Sequence, residues 1–149
     1  MKFLIDTNIL LHAVNSGSPF HAAARAFLHG HRRDRTPWCL TWPIVYEFLR
    51  VSTHARVFPS PLTTAHSLAF IEALIAPEEV VLLAPSSRHF EVLAIVVGEV
   101  GYPSGNLFHD IHTATLMREH GVSEIITADT DFLQFHFLHV TNPLLSKKR

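Results

Sequence analysis

Five carboxylates stand out by where they fall: Asp6, Glu47, Asp110, Asp129 and Asp131. The chain has only five Asp, and four of them follow a predicted strand or open a predicted helix; only Asp34 sits in a plain charged stretch. Asp6 ends the apolar run Phe3-Leu4-Ile5 and is followed by Thr7-Asn8. A charge held at the end of a buried strand is costly to desolvate. It reads equally as a site residue or as a cap on the next helix. Glu47 lies between apolar residues inside a helical pattern, and its bland reading is a surface pair with Arg50 at i+3. Asp110 opens a helix, where the dipole favours an acid by about 0.3–1 kcal/mol. Asp129 and Asp131 follow Glu124-Ile125-Ile126-Thr127.

Taken together the acids say more. In a parallel sheet all carboxyl ends lie along one edge, and ligands bind in the crevice beyond it. Asp6 and Asp129 share that edge, Glu47 enters a helix from it, and Asp110 has to reach it across the sheet face. Carboxylates about 4 Å apart repel by roughly 4 kcal/mol per pair at an effective dielectric near 20. Such a cluster needs protons or a cation. With oxygen ligands and no thiols, the cation expected is Mg²⁺ or Mn²⁺. Two such ions about 3.5–4 Å apart can activate a water and stabilise a leaving oxygen in phosphodiester hydrolysis.

The elements that must position these acids follow from hydrophobic periodicity. Strands are expected at Phe3-Leu4-Ile5, Trp38-Cys39-Leu40, Val80–Leu83, Glu124–Thr127 and Leu138-His139-Val140. Helices are expected at 9–14; from Ser18-Pro19 to His29 with Gly30 as stop; from a Thr41 cap to Ser52; at 63–76; from Ser86 or Ser87 to Val97; and from Asp110 to His120, with Gly121 as a left-handed cap. The expected apolar faces include Phe20, Ala23, Ala24, Phe27 and Leu28; Leu68, Ile71, Leu74 and Ile75; and Phe90, Leu93, Ala94 and Val97. Strands separated by helices argue for an α/β fold with a parallel sheet covered on both faces.

Bulk properties bound the rest. The 149 residues make one domain with a core that needs no staples. Cys39 is alone, which excludes a disulfide framework and a cysteine zinc site. No apolar run reaches the roughly 20 residues of a membrane span, and the short start Met1–Ile5 is no signal peptide, so a cytoplasmic protein is expected. Net charge is −1, so phosphate affinity has to come from local cations or a bound metal. No Gly-x-Gly-x-x-Gly, P-loop or Gly-x-Ser-x-Gly is present, which disfavours dinucleotide, ATP and serine-hydrolase chemistry. An aspartyl-phosphatase pattern would need an acid at Asn8.

The segments Phe3–Leu11, Glu47-Phe48-Leu49-Arg50, Gly105–His112 and Thr127–Phe132, in this order and spacing, resemble a PIN-domain ribonuclease of the VapC-like toxin group. The resemblance spans Phe3 to Phe132. It implies a three-layer α/β/α sandwich on a mostly parallel four- to five-stranded sheet of order 3-2-1-4-5, over 1–142, with 143–149 as a basic tail. It implies a metal-dependent endoribonuclease, the toxin of a toxin–antitoxin module, that is a homodimer inhibited by a small antitoxin. A catalytically inactive RNA- or antitoxin-binding domain is the alternative. Asp6, Glu47, Asp110 and Asp129 match the family's catalytic, Mg²⁺- or Mn²⁺-binding acids, and Asp131 its extra metal acid. Thr7, Asn8 and Thr127 match residues that orient them, and Arg50 would support Glu47 or a phosphate. His109 departs from the pattern, since similar toxins often carry Pro or a small residue there.

Other signals read more plainly. His109-x-x-His112 and His136-x-x-His139 are incidental pairs in a chain with twelve His. His31–Arg35 is a solvated loop, with a phosphate-contacting patch as the alternative. Phe132, Phe135 and Phe137 read as core before base-stacking platform. Phe20, Phe27 and Trp38 are offered as a groove for an apolar antitoxin segment.

Overall fold

The structure, a computed structural model, describes residues 2–145; the basic run Lys147-Lys148-Arg149 lies outside the described residues. In chain order the elements are β1 (Phe3–Ile5), α1 (Thr7–Val14), α2 (His21–Arg33), β2 (Trp38–Thr41), α3 (Trp42–Ser52), α4 (Thr64–Ile75), β3 (Val80–Leu83), α5 (His89–Val100), α6 (Leu107–Glu119), β4 (Glu124–Ile126), a 3-10 turn (Thr130–Gln134) and β5 (His139–Thr141). The sheet order is β3-β2-β1-β4-β5, as the resemblance implied. Every pairing is parallel, with Leu4 between Cys39 and Ile125. The chain adds strands on one side of β1 and then returns to add β4 on the other. The switch point between β1 and β4 opens the crevice where α/β folds place their ligands.

All three residues of β1 are buried, so helices must cover both faces of the sheet. Helices α1 to α4 pack as one chain of contacts, α1 against α2 and α3, and α3 against α4, while α5 packs on α6. Leu4, Ile5, Leu10, Leu40, Phe48, Ile111, Leu116, Met117 and Ile125 fill the centre. Phe132 and Phe135 are buried, as a core reading of those rings requires. Among the described residues, no helix is long and apolar enough to cross a membrane.

Several boundaries and faces differ from expectation. Helix α2 continues through Gly30 to Arg33 instead of stopping there, so part of the charged loop is helical. The cause is tertiary: His31 packs between Phe3 and Phe27, with ring centroids 4.9 and 4.4 Å away. That contact outweighs the roughly 1 kcal/mol cost of a helical Gly. The left-handed residue that turns the chain is Arg35, with φ of 52°. Phe20 and Leu68 are exposed rather than buried. In α4 the inward position near Leu68 is taken by Ser67, whose hydroxyl bonds that of Ser52 at 2.7 Å. Helix α5 is rotated from the expected phase: Val92 and Val96 are buried, while Phe90 is 80% exposed. Its sequence is apolar nearly all round, so spacing could not choose the face. Strand β3 sits at the sheet edge, where the implied order put it, and is accordingly only half-buried up to Leu83.

Candidate active site

Asp6 resolves the choice posed by its position by filling both roles. Its backbone N–H still donates to Ile126 O at 3.0 Å, extending the β1–β4 ladder by one bond. Its Oδ1 then accepts from the Thr7 N–H at 2.8 Å and caps α1, which starts two residues earlier than periodicity suggested. Its Oδ2 accepts from Thr127 Oγ1 at 2.8 Å and from Asn8 Nδ2 at 3.1 Å. The carboxylate is thus fixed from three sides, two by the helix it opens and one by the neighbouring strand end.

Thr127 is the joint of this arrangement. Its buried hydroxyl donates to Asp6 and accepts from Asn8 Nδ2 at 3.0 Å and from the Asp129 N–H at 3.0 Å. One donor and two acceptor sites are all a hydroxyl has, so only a Ser or Thr hydroxyl meets all three demands. Asn8 Oδ1 also accepts from the Ala128 N–H at 3.0 Å, which ties α1 to the loop after β4. Asp129 Oδ1 in turn accepts from the Asp131 N–H at 2.8 Å and starts the 3-10 turn.

Glu47 arrives from α3. Thr41 caps that helix through the Ile44 N–H, and Pro43 sits in its first turn, both as expected. Glu47 does not pair with Arg50 among the described ion pairs. Its Oε2 instead accepts from Thr7 Oγ1 at 3.2 Å. Asp110 lies in the first turn of α6, which begins at Leu107 rather than at the acid itself.

All five acids line one open cleft of about 800 Å³, together with Arg50, His109, Tyr46, Asn106 and Thr113. Within it, Asp110, Asp129 and Asp131 each present an oxygen within 4.8 Å of one another. Asp6 and Glu47 share the cleft but stand outside that tight triad. Tyr46, Asn106 and Thr113 were missed in the sequence. Thr113 and Asn106 sit at helical spacing from Asp110, and Tyr46 adjoins Glu47, so spacing alone could have found them.

The electrostatics match the crowding. Burial pushes the Asp110 carboxyl up to about 7, and the negative charges of Asp129, Asp6, Asp131 and Glu47 add to it. Asp6 is also raised, first by burial and then by Glu47 and Asp129, despite the opposing hydrogen bonds from Thr127 and Thr7. Among the described residues no Lys, Arg or His forms an ion pair with any of the five. An all-oxygen donor set with surplus negative charge fits a hard divalent cation.

Comparison with known proteins bears on this geometry. The PIN domain model matches residues 3–138. Ribonuclease VapC33 of Mycobacterium tuberculosis is 35% identical over 139 residues, covering 93% of this chain and 96% of the relative. Ribonuclease VapC48 of the same organism is 30% identical, covering 96% and 98%. Among solved structures, VapBC2 from Rickettsia felis bound to a DNA fragment from their promoter aligns with a TM-score of 0.67 at 15% identity, covering 95% of this chain and 98% of that one. The sarcin-ricin loop cleaving toxin VapC20 of M. tuberculosis aligns at 0.60 and 15% identity, covering 88% and 92%. With the family model running from the first strand to Leu138, just ahead of the last strand, and curated relatives matched over nearly their full length, the chain belongs to the PIN-domain family.

Proposed function

We propose that this chain is an endoribonuclease that hydrolyses RNA phosphodiester bonds with Mg²⁺ or Mn²⁺ and serves as the toxin of a toxin–antitoxin module. The observation that carries this is the gathering of Asp6, Glu47, Asp110, Asp129 and Asp131 in one cleft of a chain whose curated relatives are named ribonucleases. The VapBC complexes among its fold neighbours support a small antitoxin as partner. The apolar outer face of α5, with Phe90 and Ile95 exposed, supports a second copy. A toxin that cuts cellular RNA acts in the cytoplasm. The complete acid set weighs against a non-catalytic domain.

When bound, a divalent ion supplies the positive charge that makes a water nucleophilic and offsets charge building on the phosphate. Asp110, Asp129 and Asp131, whose oxygens lie within 4.8 Å of one another, would hold it, with Asp6 and Glu47 beside them in the cleft. The work of the remaining residues is positioning. Thr127, Asn8 and the Thr7 N–H fix the rotamer of Asp6, and the Thr7 hydroxyl fixes Glu47. Arg50 lines the same cleft as the acids and offers a cation to the substrate phosphate.

The test is cleavage of an RNA panel with Mg²⁺, with Mn²⁺ and with EDTA, by wild type and by Asp6→Asn and Asp110→Asn. Metal-stimulated cleavage lost in both variants supports the reading. Cleavage at the wild-type rate by the folded variants refutes these roles.

A further inference from the structure

Helix α3 has a buried face and a face the fold does not use. Ile44, Val45, Phe48 and Ser52 pack inward. On the other side Trp42, Tyr46 and Arg50 recur at i, i+4 and i+8, which stacks them in one row about 6 Å apart along the axis. Trp42 is 48% exposed and Tyr46 70% exposed. Arg50 is exposed and makes no ion pair among the described residues. The row does not lie on a remote surface. Tyr46 and Arg50 line the acid cleft, and Glu47, next to Tyr46, is one of its acids.

We propose that Trp42, Tyr46 and Arg50 form a track for the single-stranded RNA beside the scissile phosphate, the two rings stacking on bases and the guanidinium meeting the backbone. This rests on the ribonuclease reading and adds to it the residues that hold the strand beside the cut. Charge makes the stacking necessary. At a net charge of −1 the chain gains little from long-range attraction to a polyanion. Base–aromatic stacking supplies sequence-tolerant affinity in its place. Stacking also requires bases free of a duplex. Of the rings offered as a platform in the sequence, Phe132 and Phe135 are buried, and Phe137 is half-buried against the core with the Arg118 guanidinium over its ring. A protein partner would also favour Trp, Tyr and Arg, but two of the three, Tyr46 and Arg50, line the acid cleft, where the substrate has to lie.

The experiment uses a short mixed-sequence single-stranded oligoribonucleotide and the full chain with Mn²⁺. Tyr46→Ala and Trp42→Ala are each expected to lower kcat/KM by roughly tenfold to a hundredfold, the loss falling on KM, while Tyr46→Phe, which keeps the ring, should lose less than Tyr46→Ala. An abasic nucleotide beside the cut should impair wild type and add little to the loss in Tyr46→Ala. Binding is read separately in Asp110→Asn. Trp38 is buried and Trp42 exposed, so RNA should quench the tryptophan fluorescence and Trp42→Phe should abolish that quench. If wild type binds with quenching yet cuts no RNA in the panel, the ribonuclease reading fails and the track stands. If the alanine variants bind and cut as wild type does, the track is refuted. It is equally refuted if they lose self-association or antitoxin binding at unchanged KM, which would assign this face to a protein.

Discussion

Helix α6 carries a carboxylate at each end, and the fold treats them in opposite ways. Asp110, in the first turn, is pushed up to about 7 by burial and by four neighbouring acids. Glu119, the last residue, is held down at about 2. Burial opposes its charge too, and its side chain is only 2% exposed. The difference is the partners. Glu119 Oε1 accepts from Ser86 Oγ and from the Ser86 N–H at 2.5 Å, and Oε2 accepts from His89 Nδ1 at 2.8 Å. Asp110 sits among acids with no cation paired to it among the described residues. One acid fastens α6 to the start of α5; the other is left with an unmet demand for positive charge. Burial alone does not tell a structural acid from a functional one, whereas the company it keeps does.

The largest effects should come from removing the unmet charge. Asp110→Asn is expected to cut RNA cleavage by on the order of a hundredfold or more, since lesser changes around metal ligands already cost about tenfold to a hundredfold. Stability should move the other way. An acid whose folded pKa is raised makes the folded state less stable as pH climbs from the unfolded value through the folded one. In EDTA, urea denaturation at pH 8 should therefore find Asp110→Asn more stable than wild type, with the gap closing as pH falls below about 7. Mn²⁺ should stabilise wild type far more than the variant. A variant less stable than wild type in EDTA at pH 8 would mean the comparison between the two acids is wrong.

Thr127→Val probes the same end more gently. It keeps the shape but removes one donor and two acceptor positions at Asp6, Asn8 and Asp129. Activity should fall about tenfold to a hundredfold, with Thr127→Ser retaining most of it. Equal losses in both variants would show that the hydroxyl is not what holds the carboxylates.

At the other end the expected change is in stability, not activity. Glu119→Gln should cost about 1–3 kcal/mol, because charged hydrogen bonds in a buried setting are lost. The folded pKa is depressed, so this contribution is present above the unfolded value near 4.5 and is lost as pH falls toward 2. Denaturation midpoints of wild type and variant should converge across that interval. Convergence near neutral pH would point to the His partner instead.

The functional end was far more legible in the sequence than the structural end. Asp6, Asp110 and Asp129 stand at strand ends or a helix start, which periodicity marks, and a parallel sheet collects such ends on one edge; Glu47, inside α3, was placed there only because that helix enters from the same edge. Glu119 gives no such signal, since Ser86 is 33 residues away and no local pattern links them. The phase of α5 was lost because its sequence is apolar nearly all round. Gly30 misled for the converse reason: a local stop signal was overruled by His31 packing on two phenylalanines. Thr7, Asn8 and Thr127 were found through the family pattern, but the triple use of the Thr127 hydroxyl is a property of assembled backbone and cannot be read from spacing.

The smallest effect sharpens the comparison by removing burial from it. One residue before Glu119, Arg118 Nη1 pairs with Glu99 Oε2 of α5 at 2.6 Å, with side chains 34% and 48% exposed. It joins the same two helices as Glu119, in a shorter contact than the His89 bond, yet water reaches both partners. Exposed ion pairs contribute about 0–1 kcal/mol and are screened by salt. Arg118 also lies over the Phe137 ring, 4.9 Å from its centroid, so its position does not depend on Glu99 alone. Glu99→Gln should therefore destabilise by well under about 1 kcal/mol, and the loss should disappear in molar salt, while that of Glu119→Gln persists. Denaturation of both variants at low and high salt reads this directly. Equal, salt-independent losses would mean that contact length, rather than the exclusion of water, decides which acids hold α5 to α6.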